Sequence, residues 1–184
     1  MLKYICKILL NLWGWKGISG PLKENKGIII GAPHTSNLDF LVSWMYYTSL
    51  GMKASFLIKQ EAFVWPFGSL LKKMGGIPVD RRHGANSIMQ VVDEFKKRKT
   101  LHLCITPEGT RSKTTRWKAG FHAIARNADI PVYLGVFDYG KKEIGIFEKF
   151  ELTDDVNADM RRLRSRYKNV TARHPEKFSV GDID

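Results

Sequence analysis

The chain has 184 residues, which is enough for one domain with its own hydrophobic core but short for two. Hydrophobic residues make up 43% of it and charged residues 26%, an ordinary globular composition that excludes the disordered and fibrous classes. The net charge of +12 predicts an anionic partner, with phosphates, nucleic acid and anionic lipid surfaces as the candidates.

The first 20 residues predict an amphipathic helix. Apolar side chains recur at helical spacing among lysines, and Trp13 and Trp15 follow them. The segment is either a first helix packed on the domain or a helix lying in a membrane interface. Its apolar core is short and no small-residue cleavage site follows, so a signal peptide is not expected. No apolar run reaches the roughly 20 residues that cross a bilayer.

Strands and helices then alternate along the chain. Continuous apolar, β-branched runs predict strands, and apolar residues at helical spacing predict helices. The predicted strands cover residues 27–33, 53–59, 76–82, 100–107, 130–140 and 143–152. The predicted helices cover residues 38–50, 61–76 with a break at Pro66, 87–99 with a capping box at Ser87 and Gln90, 118–128, and much of 156–168.

This alternation predicts an α/β fold with a mixed, mostly parallel sheet flanked by helices, in a single domain over residues 1–184. The short sequence GKKE at residues 140–143 joins the last two strands, which indicates an antiparallel hairpin. Residues 153–184 are expected to form a basic C-terminal helix and tail. Cys6 and Cys104 lie in apolar surroundings without metal-binding spacing, so buried free thiols in a reducing compartment are expected.

His34 and Asp39 follow the first long strand, where ligands usually bind in open α/β sheets. On one continuous helix their side chains would point about 140° apart, separated by a rise of about 7.5 Å. A break between them, with the helix beginning near Asn37, would let His34 fold back against Asp39. The pair is then either a general base with its orienting carboxylate or a histidine hydrogen-bonded near a helix start.

Two other clusters suggest anion binding. The sequence TPEGTRS at residues 106–112 offers a glycine for close backbone approach, hydroxyl groups and Arg111, which can bind phosphate with two hydrogen bonds. It also fits a type I turn with Pro107 and Gly109, and a turn and a phosphate site are compatible. Arg81 would add a second guanidinium, or is an exposed arginine at a strand end.

A covalent serine mechanism and a metal site both fit poorly. Ser36 stands close to His34 but lacks the G-x-S-x-G elbow. The histidines show no HExxH or paired ligand spacing. The chemistry that these residues suggest is direct deprotonation of a substrate hydroxyl.

Four segments in this order resemble the sequence blocks of the glycerolipid acyltransferase family typified by 1-acylglycerol-3-phosphate acyltransferase. They are HTSNLDF, GGIPVDR, TPEGTRS and IPVYLGV, which together lie between residues 34 and 136. The pairing of the His-x4-Asp block with the PEGTRS block makes the resemblance specific. Two residues depart from the family pattern: Pro78 stands where an aromatic residue is common, and Thr106 where phenylalanine is common.

The resemblance implies the glycerol-3-phosphate acyltransferase type of fold and a role for each matching residue. His34 would deprotonate an acceptor hydroxyl that attacks the thioester of acyl-CoA or acyl-ACP, and Asp39 would hold its imidazole. The most expected acceptor is 1-acyl-sn-glycerol-3-phosphate, which yields phosphatidic acid. No cofactor or metal is implied besides the thioester co-substrate. The implied substrate-binding residues are Gly75, Arg81, Glu108, Gly109, Thr110, Arg111 and Ser112.

The expected partners are the acyl thioester donor, which includes acyl carrier protein, a lyso-lipid acceptor and an anionic membrane surface. Basic runs at residues 96–99, 111–118 and 161–166 would face lipid headgroups or the carrier, or are solvated surface. The expected location is the cytoplasm, peripherally bound to the cytoplasmic face of the membrane. Nucleic acid is not expected, because no zinc-finger or RNP1-like motif is present. The alternatives are a different acceptor, such as a lyso-amino-acid lipid, and, more remotely, a non-catalytic basic protein that binds lipid or nucleic acid.

Overall fold

A computed structural model describes residues 1–80 and 84–182 of the chain. Within these residues the fold contains six α-helices and seven strands. The helices are α1 Leu2–Leu12, α2 Asn37–Ser49, α3 Phe67–Lys73, α4 Gly84–Lys97, α5 Gly120–Ala128 and α6 Val156–Arg166. The strands are β1 Lys16–Gly17, β2 Lys26–Ala32, β3 Ala54–Lys59, β4 Gly76–Val79, β5 Leu101–Ile105, β6 Val132–Asp138 and β7 Glu143–Phe150.

All seven strands form one sheet in the order β1-β7-β6-β2-β5-β3-β4 among the described residues. Every neighbouring pair is parallel except β6 and β7, which form the predicted antiparallel hairpin. The predicted single-domain α/β fold with a mixed, mostly parallel sheet is therefore confirmed. The last residues of β2, β3, β4, β5 and β6 meet along one side of the sheet, which we call the carboxyl edge.

Helices cover both faces of the sheet, which is why its central strands are apolar on both sides. In β2, Ile28 and Ile30 belong to the core that includes residues of α4, α5 and α6. Ile29, between them, belongs to the core that includes residues of α1 and α2. This alternation follows from the two-residue period of a strand.

The N-terminal segment differs from the predicted helix over the first 20 residues. The helix ends at Leu12, and Gly14, with φ +77°, turns the chain. The next residues form β1, whose Lys16 and Gly17 pair with β7. Two residues are too few to give a strand signal in the sequence. Cys6 and Leu10 are buried against α2, while most other apolar side chains of α1 are exposed.

Two other helices begin at different residues from those predicted. Helix α4 begins at Gly84, so Ser87 lies inside it and not at a capping box. The Ser87 hydroxyl donates instead to the backbone carbonyl of Asp80. The interrupted helix at residues 61–76 is a 3₁₀ turn, Gln60–Ala62, followed by α3, with Pro66 between them as predicted. No helix in the described ranges is both long and apolar enough to cross a membrane.

Gly75 lies at the amino end of β4 and not at the carboxyl edge, which corrects its expected place among the substrate-binding residues. Its φ is +95°, and a Cβ there would stand 2.1 Å from the backbone oxygen of Ala54, the first residue of β3. A glycine is required because α3 must turn sharply into β4 against this carbonyl. Gly75 is thus a backbone residue of the fold.

Candidate active site

The loop between β2 and α2 brings His34 and Asp39 together. The Nδ1 atom of His34 lies 3.2 Å from Oδ2 of Asp39. This contact is possible because residues 33–36 are not helical and α2 begins at Asn37, so the predicted break in the chain is present. A carboxylate can only accept, so Nδ1 donates its proton to Asp39 and Nε2 is left as an acceptor. A histidine in this state can take a proton from a hydroxyl.

Asp39 is held rigidly because it also caps the helix. Its Oδ2 atom accepts from the backbone N–H groups of Thr35 and Ser36, both at 2.8 Å. The Ser36 hydroxyl accepts from the N–H of Leu38, and Ser36 and Asp39 together form a capping box. Asp39 is 1% exposed, so its carboxylate is paired with these donors in place of water. The same contacts that begin the helix therefore orient His34.

Tyr139 is a further contact of Asp39, from a position 100 residues away in the chain. Its hydroxyl donates to Oδ1 of Asp39 at 2.8 Å. Burial, and then the hydrogen bond to Asp39, raises the pKa of Tyr139, so the hydroxyl keeps its proton. Trp15 packs edge-on against the tyrosine ring, with the ring centroids 5.0 Å apart. Tyr139 immediately follows β6, which ends at Asp138, whereas the predicted strand ran through residue 140. The search for polar residues directly after strands therefore did not select it.

Tyr139→Phe is expected to lower kcat for acyl transfer roughly tenfold while leaving KM nearly unchanged, because the hydroxyl orients Asp39 without touching substrate. Steady-state kinetics with a long-chain acyl thioester measure the effect. Tyr4→Phe removes an exposed hydroxyl on α1 and serves as the control. A rise in KM at constant kcat would show that Tyr139 contacts the substrate instead.

Glu108 connects the PEGTRS loop to the loop between β2 and α2, which contains His34. Its Oε1 atom accepts from the backbone N–H of His34 at 2.8 Å. Its Oε2 atom is buried and has no hydrogen-bond partner. Burial raises the pKa of Glu108 from 4.5 to about 7, against the lowering effect of the His34 hydrogen bond. Glu108 therefore holds the backbone of His34 in place, and the Glu108 carboxyl group is protonated at mildly acidic pH.

Glu108→Gln is expected to flatten the pH dependence of stability between about pH 4.5 and pH 7. The pKa of Glu108 is raised in the folded chain, so unfolded molecules lose this proton first and stability falls as pH rises through the interval. The free energy of unfolding of the variant should exceed that of the parent by up to about 3 kcal/mol across that range. Urea unfolding at several pH values measures it, with Glu94→Gln, on the surface of α4, as the control. If the free energy of unfolding changes equally with pH in the parent and the variant, the prediction is wrong.

The rest of the PEGTRS loop is a turn with exposed polar side chains. The N–H of Gly109 donates to the carbonyl of Thr106 at 3.1 Å, as the predicted turn requires. Gly109 has φ +64°, and a Cβ there would press against the Lys118 side chain at 3.0 Å. The next three residues, Thr110, Arg111 and Ser112, are exposed. Lys118 therefore adds an ammonium group beside this turn that the sequence pattern did not indicate.

A cavity of about 890 Å³ opens at the carboxyl edge and is lined by His34 and Asp39 together with Gly109, Thr110, Arg111, Ser112 and Lys118. It extends along both faces of the sheet. Between α2 and the sheet it is lined by Phe40, Tyr47, Phe56, Ile146 and, on three adjacent strands, Gly31, Gly135 and Gly145. On the other face it is lined by Ile88, Val91, Phe121 and Ile124. The proposed base thus stands where two apolar spaces meet.

The structure brings together six of the predicted site residues and separates the others. His34, Asp39, Gly109, Thr110, Arg111 and Ser112 line the cavity. Glu108 lies behind His34, Gly75 lies at the opposite edge, and Arg81 lies outside the described residues.

Burial raises the pKa of the Cys104 thiol to about 12, so this cavity-lining residue is not a thiolate nucleophile at neutral pH. In the described ranges, no three His, Cys, Asp or Glu residues are grouped to hold a metal.

The C-terminal tail also reaches the carboxyl edge. The backbone N–H of Tyr139 donates to the carbonyl of Thr171 at 2.9 Å. The backbone N–H of His174 donates to the hydroxyl of Thr35 at 3.2 Å. The Arg173 guanidinium lies 5.8 Å from the centre of the Tyr139 ring. The predicted basic tail is therefore packed against Tyr139 and the loop between β2 and α2, which the sequence did not indicate.

Comparison with known proteins finds a similar fold in one solved structure and a matching family model. One solved structure similar to the chain is the crystal structure of the 1-acyl-sn-glycerophosphate (LPA) acyltransferase PlsC from Thermotoga maritima. The TM-score is 0.54 at 17% sequence identity, over 80% of this chain and 66% of that protein. This similarity shows the fold. No curated protein sequence matches the chain.

The family model named Acyltransferase matches residues 18–134, more than half of the chain. The matched range contains His34, Asp39 and the whole PEGTRS loop, and all of these residues except Glu108 line the cavity. The chain therefore belongs to the acyltransferase family and is an acyltransferase enzyme.

Proposed function

We propose that the enzyme transfers a fatty acyl group from acyl-CoA or acyl-ACP to the free hydroxyl of 1-acyl-sn-glycerol-3-phosphate, which yields phosphatidic acid. The observation that carries the proposal is the hydrogen bond from the His34 backbone to Glu108, because it ties a base to the loop of Thr110, Arg111 and Ser112. A lyso-phospholipid presents a hydroxyl and a phosphate on one small headgroup. The Thermotoga PlsC, named as an LPA acyltransferase, supports the same acceptor.

In the proposed reaction, Nε2 of His34 accepts the hydroxyl proton while the hydroxyl oxygen attacks the thioester carbonyl. The carbon–sulfur bond breaks, and the protonated His34 returns its proton to the departing thiolate. Asp39 stabilises the imidazolium through Nδ1 and does not itself take the proton. No covalent enzyme intermediate is required, which agrees with the raised pKa of Cys104.

The acceptor phosphate is proposed to bind Arg111 and Lys118, with the Thr110 and Ser112 hydroxyls as additional donors. All four side chains line the cavity that contains His34. Arginine suits this role because its planar guanidinium can give two parallel hydrogen bonds to phosphate oxygens. The acyl chains would occupy the apolar spaces beside α2 and beneath α4 and α5, which exclude water from the reacting atoms.

An acceptor with a different headgroup, such as a lyso-amino-acid lipid, is the second candidate. Thr106, which differs from the family pattern, lines the cavity and supports this alternative. Pro78, the other departure, is exposed and lines a separate groove, so it gives no reason to expect another acceptor.

The proposed location is the cytoplasmic face of an anionic membrane, with the enzyme bound peripherally. Helix α1 packs on α2 through Cys6 and Leu10, and it exposes the apolar side chains of Leu2, Ile5 and Leu12 beside Lys3 and Lys7. Such a helix can pack on the domain and also lie in the headgroup region. The basic runs would attract anionic headgroups or the acidic surface of a carrier protein.

The acceptor is tested by supplying one long-chain acyl thioester with lysophosphatidic acid, monoacylglycerol or a lyso-amino-acid lipid. Thiol release and mass spectrometry of the lipid product identify what is acylated. Arg111→Ala is expected to raise KM for lysophosphatidic acid roughly 10- to 100-fold, because a charge-assisted contact is lost. Arg126→Ala, which removes the same charge from an exposed position on α5 outside the cavity lining and the basic runs, is the control. Preference for an acceptor without phosphate would contradict the proposal.

A further inference from the structure

Residues 63–71, which we call the apolar loop segment, connect β3 to β4 through the start of α3. Four large apolar side chains in it, Val64, Trp65, Phe67 and Leu70, are each more than half exposed. Trp65 is the extreme, at 92%. A cluster of large exposed apolar side chains of this kind marks an interaction surface, whereas single exposed residues are ordinary.

The apolar loop segment has a defined conformation. The N–H of Gly68 donates to the carbonyl of Val64 at 2.8 Å. A Cβ on Gly68 would stand 2.7 Å from the backbone oxygen of Phe63, so the turn closes tightly on itself. The backbone of this turn is therefore closely packed, and the large apolar side chains that it carries are exposed.

The segment lies beside the catalytic cavity. It follows β3, which ends at Lys59, on the carboxyl edge where His34 is found. Leu71 of α3 lines the cavity, while its neighbours Phe67 and Leu70 face outward. Helix α3 is thus a wall with the cavity on one side and the exposed apolar side chains on the other.

The charge around the segment favours an anionic lipid surface. Along residues 59–73, Lys59, Lys72 and Lys73 stand against a single acidic residue, Glu61. In space, a groove beside Phe63 and Lys72 adds Asp93, Glu94 and Lys97. Tryptophan and phenylalanine between lysines suit the headgroup region, where aromatic rings enter the interface and ammonium groups meet phosphates. The whole chain carries +12 charges, which adds to the attraction.

From these four observations we propose that the apolar loop segment inserts into the interface of an anionic phospholipid bilayer, as a membrane contact in addition to α1. Contact at this wall places the mouth of the cavity against the lipid surface, so that a lyso-lipid acceptor enters without crossing water. This proposal extends the proposed function, and the statement about acceptor entry rests on that function. The membrane binding itself depends only on the exposed apolar side chains of the segment and on the lysines beside it.

The first experiment compares sedimentation of variants of the full chain with vesicles of phosphatidylglycerol and phosphatidylcholine. Trp65→Ser/Leu70→Ser is expected to lower the vesicle partition coefficient about tenfold, since binding scales with inserted apolar area. Met89→Ser/Val156→Ser removes two exposed apolar side chains from α4 and α6 and should bind as the parent does. Equal binding by the loop variant and the parent, or an equal loss in both variants, would overturn the proposal.

A second measurement does not depend on disruptive substitutions. The chain has five tryptophans, and quenching of their emission by brominated lipids should fall when Trp65 is replaced by phenylalanine. Unchanged quenching would mean that Trp65 does not enter the bilayer. If the parent dimerises in the absence of vesicles and the serine variant does not, the segment forms a protein contact. That result would also overturn the proposal.

Activity distinguishes a failure of this proposal from a failure of the proposed function. The loop variant should keep its rate with short-chain, water-soluble thioester and acceptor and lose it with vesicle-embedded acceptor. If the parent acylates neither the water-soluble nor the vesicle-embedded acceptor, the proposed function is wrong. The sedimentation and quenching results still decide whether the segment contacts the membrane.

Discussion

His34→Ala is expected to lower kcat/KM for acyl transfer by about 10²–10⁴, because the variant has no base to take the acceptor proton. The expected loss depends on two findings: Nδ1 of His34 contacts Asp39, and the ring lines the cavity. Thiol release from an acyl thioester in the presence of lysophosphatidic acid measures it. Circular dichroism should show that the fold persists, since the side chain is a fifth exposed and fills little of the core.

His174→Ala is the matched control for this experiment. Its imidazole faces Glu176, at 3.6 Å, and the contact that residue 174 makes with Thr35 uses only the backbone. The control should stay within about twofold of the parent. A His34 variant as active as the parent would refute the general-base mechanism.

Asp39→Asn is expected to lower kcat by about 10³–10⁴ with little change in the fold. The carboxylate accepts from Thr35, Ser36, Tyr139 and the His34 ring, and an amide cannot accept from all of these donors. If the amide donates to Nδ1, the proton moves to Nε2 and His34 can no longer act as a base. Steady-state kinetics and urea unfolding separate the catalytic loss from a helix-capping loss of about 1 kcal/mol.

Asp129→Asn makes the same chemical change at an exposed helix end. Asp129 has φ 50° after α5, a left-handed conformation that asparagine also adopts readily. Activity and stability should both stay close to those of the parent. A fall of only a few-fold for Asp39→Asn would show that Asp39 mainly caps α2.

A second buried His–Asp pair shows that proximity alone does not make a catalytic dyad. Nε2 of His122 lies 3.0 Å from Asp159, which is fully buried and also accepts from Thr153 and Arg162. These hydrogen bonds from Thr153, Arg162 and His122 keep the pKa of Asp159 below its usual range despite its desolvation. The pair joins α5, α6 and the loop before α6, and its histidine does not line the cavity. His34 differs because its side chain lines the cavity.

Local interactions made part of the site predictable. The apolar period of the strands, the polar break before α2 and the turn at PEGTRS depend on residues within a few positions of each other, so their pattern in the chain is enough. The α/β class, the hairpin of β6 and β7, and the fold of His34 against Asp39 followed from these signals and are present. Ser87 was misplaced because the helix start competes with a contact to Asp80 that periodicity does not report.

The amino-acid sequence by itself determined the class of fold, the break between His34 and Asp39 and the turn at PEGTRS, because each is coded by neighbouring residues. Only the tertiary structure decided which distant groups complete the site. Tyr139 reaches Asp39, Glu108 holds the backbone of His34, and Lys118 lies against Gly109 because the carboxyl ends of β2, β5 and β6 meet at one edge. The same geometry put Gly75 at the far end of β4. Strand order and direction decide such distances, and they depend on packing across the whole sheet.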